Sequence, residues 1–389
     1  DGNTSDNAPD GNSNNIINEC LARFPNSINT GTDKNDFVKM RCRFNSSNDA
    51  YVTINGIGNY QTIQSAINNA TNGDTINVGN GTYNENINID KSLTLQGVGL
   101  PTINGATGTV VEIASDNVKI DGFIITNSGV LGRGIHSSDY SDLTITNNII
   151  TGIGNSNDDI VGRGIEVISS SANVNNINIS NNQINNITSG KRMTGSDSKS
   201  ASGISIGWSD GNFDITNLLI QNNIISDIDA DTTAWTRKAD DSGWESANRG
   251  YGAYGVLINH GTAGGQTRGA KILDNTISNL EGLWAHGVGL EGDTPNALVQ
   301  GNTFNNIIDH KSPSDAVAVH VEDNPSGGTV RINFNKFNNV KVGVDRTGGS
   351  AGIVDATNNY WGACDGPGLI GLGSGGNVSS NVIYTPWLG

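Results

Sequence analysis

The stretch "LTITNNII" (143–150) returns as "INISNNQI" (177–184) and "LLIQNNII" (218–225). Looser forms run along most of the chain: "LTLQGVG" (93–99), "VKIDGFIITN" (118–127), "KILDNTI" (271–277), "LVQGNTF" (298–304), "INFNKF" (332–337) and "VDATNNYW" (354–361). Each joins two short apolar-alternating runs through a Gly or Asn at one phase. The residues in phase are Gly97, Gly122, Asn148, Asn182, Asn223, Asn275, Asn302, Asn335 and Asn359, separated by 25, 26, 34, 41, 52, 27, 33 and 24 residues. The basic step is therefore about 24–26 residues, and the surplus is inserted loop.

Alternation sends every second side chain to one side of a strand. A coil with one such apolar side cannot bury it alone, and stacking on the next coil does. Asn tolerates left-handed backbone and forms side-chain ladders, which accounts for its recurrence at the corner. These features predict an all-β chain: a single right-handed parallel β-helix of about nine to eleven coils over 51–389. Residues 1–50 form a leader and N-terminal cap, and long loop insertions fall at about 183–202 and 228–253.

Composition narrows the partners. A formal net charge of −16 disfavours nucleic acid, which needs clustered Lys and Arg. No apolar run is long enough to span a membrane. The polar start "DGNTSDNAPDGNSNN" (1–15) reads as the leader of a processed chain whose signal peptide has been removed, so a secreted or cell-surface location is expected. Cys20 and Cys42 bracket the cap segment and are placed to staple it, leaving Cys364 as a lone thiol. No Cys/His spacing resembles a zinc site.

The stretch "YQTIQSAINNATNGDTINVGNGTYNENINIDKSLTLQGVG" (60–99) resembles the opening helix and first coil of pectin-lyase-like β-helix proteins, pectin methylesterases among them. The tail "ATNNYWGACDGPG" (356–368) with "VIYTPWLG" (382–389) resembles the closing coil of bacterial and archaeal surface or secreted β-helix proteins. The resemblance implies the fold and leaves the chemistry open, because that superfamily holds lyases, hydrolases, esterases and inert fibres. The methylesterases' Gln-Asp-Thr-Leu and Asp-Phe-Ile-Phe-Gly motifs are absent.

A second strand in each coil begins with a small residue, Gly and an apolar residue: "RGIHSSD" (133–139), "RGIEVIS" (163–169), "SGISIGWSD" (202–210), "YGVLINHG" (254–261), "HGVGLEGD" (286–293), "VAVHVEDN" (317–324) and "VGVDRTG" (342–348). Aligned, they put Ile206, Ile258, Leu290 and Val321 in one inward column. One outward column holds His136, Glu166, Ser205, Leu257, Gly289, His320 and Asp345; the next holds Ser138, Ile168, Gly207, Asn259, Glu291, Glu322 and Thr347. Glu291 and Glu322 thus become neighbours at strand spacing, where repulsion is expected to raise one carboxyl's pKa.

An unequal acid pair is what glycosidic cleavage uses. The catalytic candidates are Glu291 and Glu322, with Asp323 in reserve and His260 or His320 tuning protonation. Trp208, Trp235, Trp244, Arg249, Tyr251, Tyr254, Asn259, Trp284 and His286 are candidates for substrate binding, because aromatic faces and rim hydrogen bonds suit sugar rings. Cations among the insertions suit an acidic glycan, sulfated or uronic. The expectation is an endo-acting glycoside hydrolase on an acidic polysaccharide, working as a monomer. A polysaccharide lyase of the same fold, or a non-catalytic surface-layer, adhesin or fibre protein, stands as the alternative. No cofactor is required, although the Asp/Asn-rich turns are able to hold calcium.

Overall fold

The computed structural model describes residues 19–21, 39–41, 50–127, 132–154, 161–189, 199–207, 212–230, 250–259, 264–282, 284–309, 316–322, 326–347 and 352–389. The chain divides into two compact units, Asp1–Asp49 and Ala50–Gly389. In the first, Glu19–Leu21 pairs antiparallel with Lys39–Arg41, setting Cys20 opposite Met40. The proposed partner of Cys20, Cys42, lies outside the described residues. Cys364 is a free, exposed thiol.

The second unit is a right-handed parallel β-helix of three long sheets. The first sheet has thirteen strands. Setting aside the antiparallel Val52–Ile54 and the side strand Thr267–Arg268 leaves eleven parallel rungs, the upper end of the nine to eleven coils expected and two more than the phase residues. Each coil runs through one strand of the first sheet, turns at the ladder residue into the second, then bends into the third.

One end is closed by sequence-specific means. The helix Ile63–Asn69 starts at Thr62, whose side chain accepts from Ser65 N–H in a capping box. The Glu85 carboxylate accepts from Ile63 and Gln64 N–H at 2.8 and 3.0 Å, a favourable anion at a helix N-terminus. Ile63, Ala66 and Ile67 are thereby held in the core.

Inside, like residues stack on like. Ile103, Ile125, Ile150, Ile184, Ile225 and Ile277 succeed one another in register in the second sheet and are fully buried. The column ends in aromatics: Phe304 on Phe337 at 5.6 Å and Phe337 on Trp361 at 5.1 Å. Ile206, Ile258, Leu290 and Val321 form the expected inward column of the third sheet.

The ladder is the polar counterpart. Asn148, Asn182, Asn223, Asn275, Asn302, Asn335 and Asn359 are buried, and each Nδ2 donates to the next Oδ1 at 2.9–3.1 Å. The left-handed backbone does not fall on these residues. It falls on the one before: Asn147, Asn181, Asn222, Asp274, Phe334 and Asn358 have φ between 55° and 59°. Turning and laddering are thus separate tasks for adjacent positions.

The bend into the third sheet is made by the small residues 134, 164, 203, 255, 287 and 318, where backbones of successive coils come very close. A Cβ on Gly164 would lie 2.5 Å from Gly203 O, and one on Gly255 would lie 2.5 Å from Gly287 O. Among the described residues, no helix is long and apolar enough to cross a membrane.

Candidate functional site

The outward face of the third sheet carries the columns expected from the sequence. His136, Glu166, Ser205, Leu257, Gly289, His320 and Asp345 are successive register partners. Gly207, Asn259, Glu291, Glu322 and Thr347 are likewise in register. A third column, across the bend, brings Arg133, Arg163, Ser202, Tyr254, His286 and Val317 into line.

Glu291 is where the columns converge. Asn259 Nδ2 donates to its Oε2 at 3.1 Å, and His286 Nδ1 lies 3.5 Å from its Oε1. The Tyr254 hydroxyl donates to the same carboxylate. Gly289 opens the space for this: a Cβ there would lie 3.3 Å from Tyr254 Cδ1 and 3.4 Å from Glu291 Oε1. Tyr254 stands edge-on to His286 at 5.3 Å, and His286 stacks on His320 at 4.4 Å with planes 24° apart. His320 Nδ1 lies 3.3 Å from Asp345 Oδ2, and its Nε2 lies 3.4 Å from Thr347 Oγ1.

Protonation follows from this packing. Burial alone would raise the Glu291 carboxyl; the His286 contact, the nearby imidazoles of His286 and His320, and the Tyr254 hydroxyl outweigh it and hold the carboxyl below its ordinary value. Burial pushes the His286 imidazole down. It pushes the Tyr254 phenol well up, and the adjacent Glu291 carboxylate adds to the rise. At neutral pH the arrangement is an ionised Glu291, a neutral His286 in contact with it at 3.5 Å and a protonated Tyr254. The rise expected for one carboxyl of the Glu291 and Glu322 pair does not fall on Glu291, because imidazoles and a phenol surround it. Glu322, one coil on and in register, is exposed.

Of the other candidates, Trp284 opens the strand Trp284–Glu291, in register with Gly252, so it belongs to the sheet and not to a loop. Tyr251 lies in the strand Gly250–Asn259. Tyr254 and His286 are more than nine-tenths buried and bear on Glu291, which makes them positioning groups. Asp323, His260, Trp208, Trp235, Trp244 and Arg249 lie outside the described residues.

Two features escaped the sequence reading. Asp345 stood in the right column without a role. An ionic cluster three to five coils before Glu291 was also missed: Glu112 Oε1 lies 2.8 Å from His136 Nδ1, while Glu166 pairs with Arg133 and lies 3.5 Å from Arg163 Nε. Arg163 is buried and donates to Ser200 O, Ser200 Oγ and Ser202 Oγ. The signal was present in the alternating acids and bases of "VEI", "RGIH" and "RGIE" (111–113, 133–136, 163–166). Among the described residues, no group of three or more His, Cys, Asp or Glu is arranged to hold a metal.

No family model matches the chain. Over 95 residues, 23% of its length, it is 40% identical to a cell surface glycoprotein of Methanothermus fervidus, and it spans 16% of that protein. Among solved structures, an alginate lyase from Paenibacillus sp. is 12% identical, covering 84% of this chain and 95% of its own, with a TM-score of 0.30. A pectin methylesterase from Aspergillus niger is 14% identical, covering 78% and 83%, with a TM-score of 0.26. Likeness this low carries nothing about activity. By its own three parallel sheets and coil-to-coil ladder, the chain is a right-handed parallel β-helix.

Proposed function

We propose that the protein is a cell-surface or secreted enzyme that cleaves an acidic polysaccharide internally, by hydrolysis, on the outward face of the third sheet. The observation that carries this reading is Glu291: a partly buried carboxylate held ionised by three positioning groups, one strand spacing from the exposed Glu322. Glu322 donates a proton to the glycosidic oxygen as the bond to the anomeric carbon breaks. Glu291 either attacks that carbon or takes a proton from the attacking water. Two shorter chains result, and one carries a new reducing end.

Sulfated and uronic polysaccharides should be incubated with the protein and the products separated by size, with reducing ends and ring unsaturation both measured. Reducing ends without unsaturation, lost in Glu291→Gln and in Glu322→Gln, are the expected result. Unsaturated products would make it a lyase.

A second reading is favoured by the 40% identity to a cell surface glycoprotein: a surface module that binds glycan without cutting it. Binding by wild type with no product from any glycan would establish that reading.

A further inference from the structure

We propose that Asp345 is a positioning residue for Glu291: it makes His320 the ring that charges first in a stacked imidazole pair, and so keeps the other ring, His286, neutral beside Glu291. The inference rests on the reading of Glu291 as the carboxylate that attacks or takes a proton.

His286 and His320 are 6% and 8% exposed, and their rings stack at 4.4 Å with planes 24° apart. Two positive charges that close and that far from water repel strongly, so the pair takes up one proton much more readily than two. Such a pair titrates as a unit, and its chemistry turns on which ring receives the first proton. Each ring has a carboxylate of its own: His286 Nδ1 lies 3.5 Å from Glu291 Oε1, and His320 Nδ1 lies 3.3 Å from Asp345 Oδ2. Both Nδ1 atoms are closed off from water.

The geometry favours His320. A charged imidazole donates from both nitrogens, and His320 has an oxygen near each, with Thr347 Oγ1 3.4 Å from its Nε2. Burial alone would raise the Asp345 carboxyl; the His320 contact and charge, the Ser379 hydroxyl and the Arg346 N–H outweigh it and hold the carboxyl below its ordinary value. Asp345 is therefore ionised at neutral pH and fixed facing the ring. It stands two strands beyond the strand of Glu291, roughly 10 Å away, so it acts on Glu291 through the rings. The other ionisable groups that bear on the pair are Tyr254 and Glu291, with Arg163 and Glu322 acting on Tyr254. A charged His286 would tie up the Glu291 carboxylate in a salt bridge, whereas a neutral one leaves it free to react. The His320 charge acts on His286 more strongly than the Asp345 charge does, so removing Asp345 lets His286 protonate more readily.

Histidine labelled with nitrogen-15 gives five rings to follow in the whole chain, and the ring nitrogens report whether each is charged. His286→Gln and His320→Gln assign the two signals. As pH falls, wild type should charge His320 before His286. In Asp345→Asn, which keeps the shape and removes the charge, the His286 titration should move to higher pH, and Asp345→Glu should bring it back. In a His320→Gln chain, adding Asp345→Asn should no longer raise it, because the ring between them is gone. A wild type in which His286 charges first overturns the proposal, and that reading needs no variant to fold. So does an Asp345→Asn chain, native by circular dichroism, whose His286 titration has not moved; Asp345 would then be a structural ion partner. These titrations use no substrate, so they stand apart from whether any glycan is cut. On the sulfated or uronic polysaccharides that wild type cuts, Asp345→Asn should lower kcat about tenfold with KM held. An unchanged kcat would overturn the link to Glu291.

Discussion

Replacing Asn223 by Ala tests whether the ladder holds the coils together or merely fills their corner. The side chain is fully buried. Its Nδ2 donates to Ile179 O at 2.9 Å and Asn275 Oδ1 at 3.0 Å, while its Oδ1 accepts from Asn182 N at 2.9 Å and Asn182 Nδ2 at 3.0 Å. Two of the partners keep other bonds: Asn182 Nδ2 still reaches Ile145 O, and Asn275 Oδ1 still accepts Asn223 N–H. The Asn182 N–H and the Ile179 carbonyl lose the Asn223 side chain. Stranding a buried polar group costs about 1–3 kcal/mol, so the two together predict a loss of about 2–6 kcal/mol. The control is the adjacent Asn222, at φ 56° and outside the ladder. Asn222→Ala should cost only about 1–2 kcal/mol of left-handed strain. Urea unfolding followed by far-ultraviolet circular dichroism would measure both, with the slope required to stay constant. An Asn223→Ala loss no greater than that of Asn222→Ala would refute the stranded-group reasoning.

Three further outcomes are expected at the site. Tyr254→Phe removes a donor to the Glu291 carboxylate, so the acid limb of the activity profile should move to higher pH and turnover should fall about ten- to a hundredfold, hydrogen bonds to charged groups being worth roughly 1.5–3 kcal/mol; an unmoved limb would remove Tyr254 from the site. Gly289→Val keeps an ordinary backbone but drives branches into Tyr254 and Glu291, so activity should collapse while circular dichroism stays native. Acid stability carries a sign. Glu291 is depressed below its ordinary 4.5, so its contribution is full above that value and is lost as pH falls through the lower folded one. Glu291→Gln should therefore flatten acid unfolding in that window, and superimposable curves for variant and wild type would contradict the assignment.

The fold was legible because stacking turns phase into space. Once Asn148, Asn182 and Asn223 were aligned, the inward column from Ile206 to Val321 and the outward pair Glu291 and Glu322 followed. Protonation was not legible. It depends on how far side chains reach across a bend, and Gly289 supplies that reach by having no side chain, so His286 and Tyr254 bear on Glu291 from a different column. Nor could phase alone show which of two adjacent residues takes the left-handed turn. In "TNN" (146–148) Asn147 turns and Asn148 ladders, a distinction that rests on burial.

The ladder bond between Asn223 and Asn275 spans 52 residues of chain, that between Asn335 and Asn359 spans 24, and both are 3.0 Å long. The length of a coil is therefore invisible to its neighbours. Natural variation can lengthen, shorten or exchange the segments that leave the second sheet without asking any other coil to adjust, so recognition can diverge while the frame that presents Glu291 and Glu322 stays fixed. Selection on the inserted segments is in this way separated from selection on whether the chain folds, and a lineage built on such coils is free to trade one loop at a time.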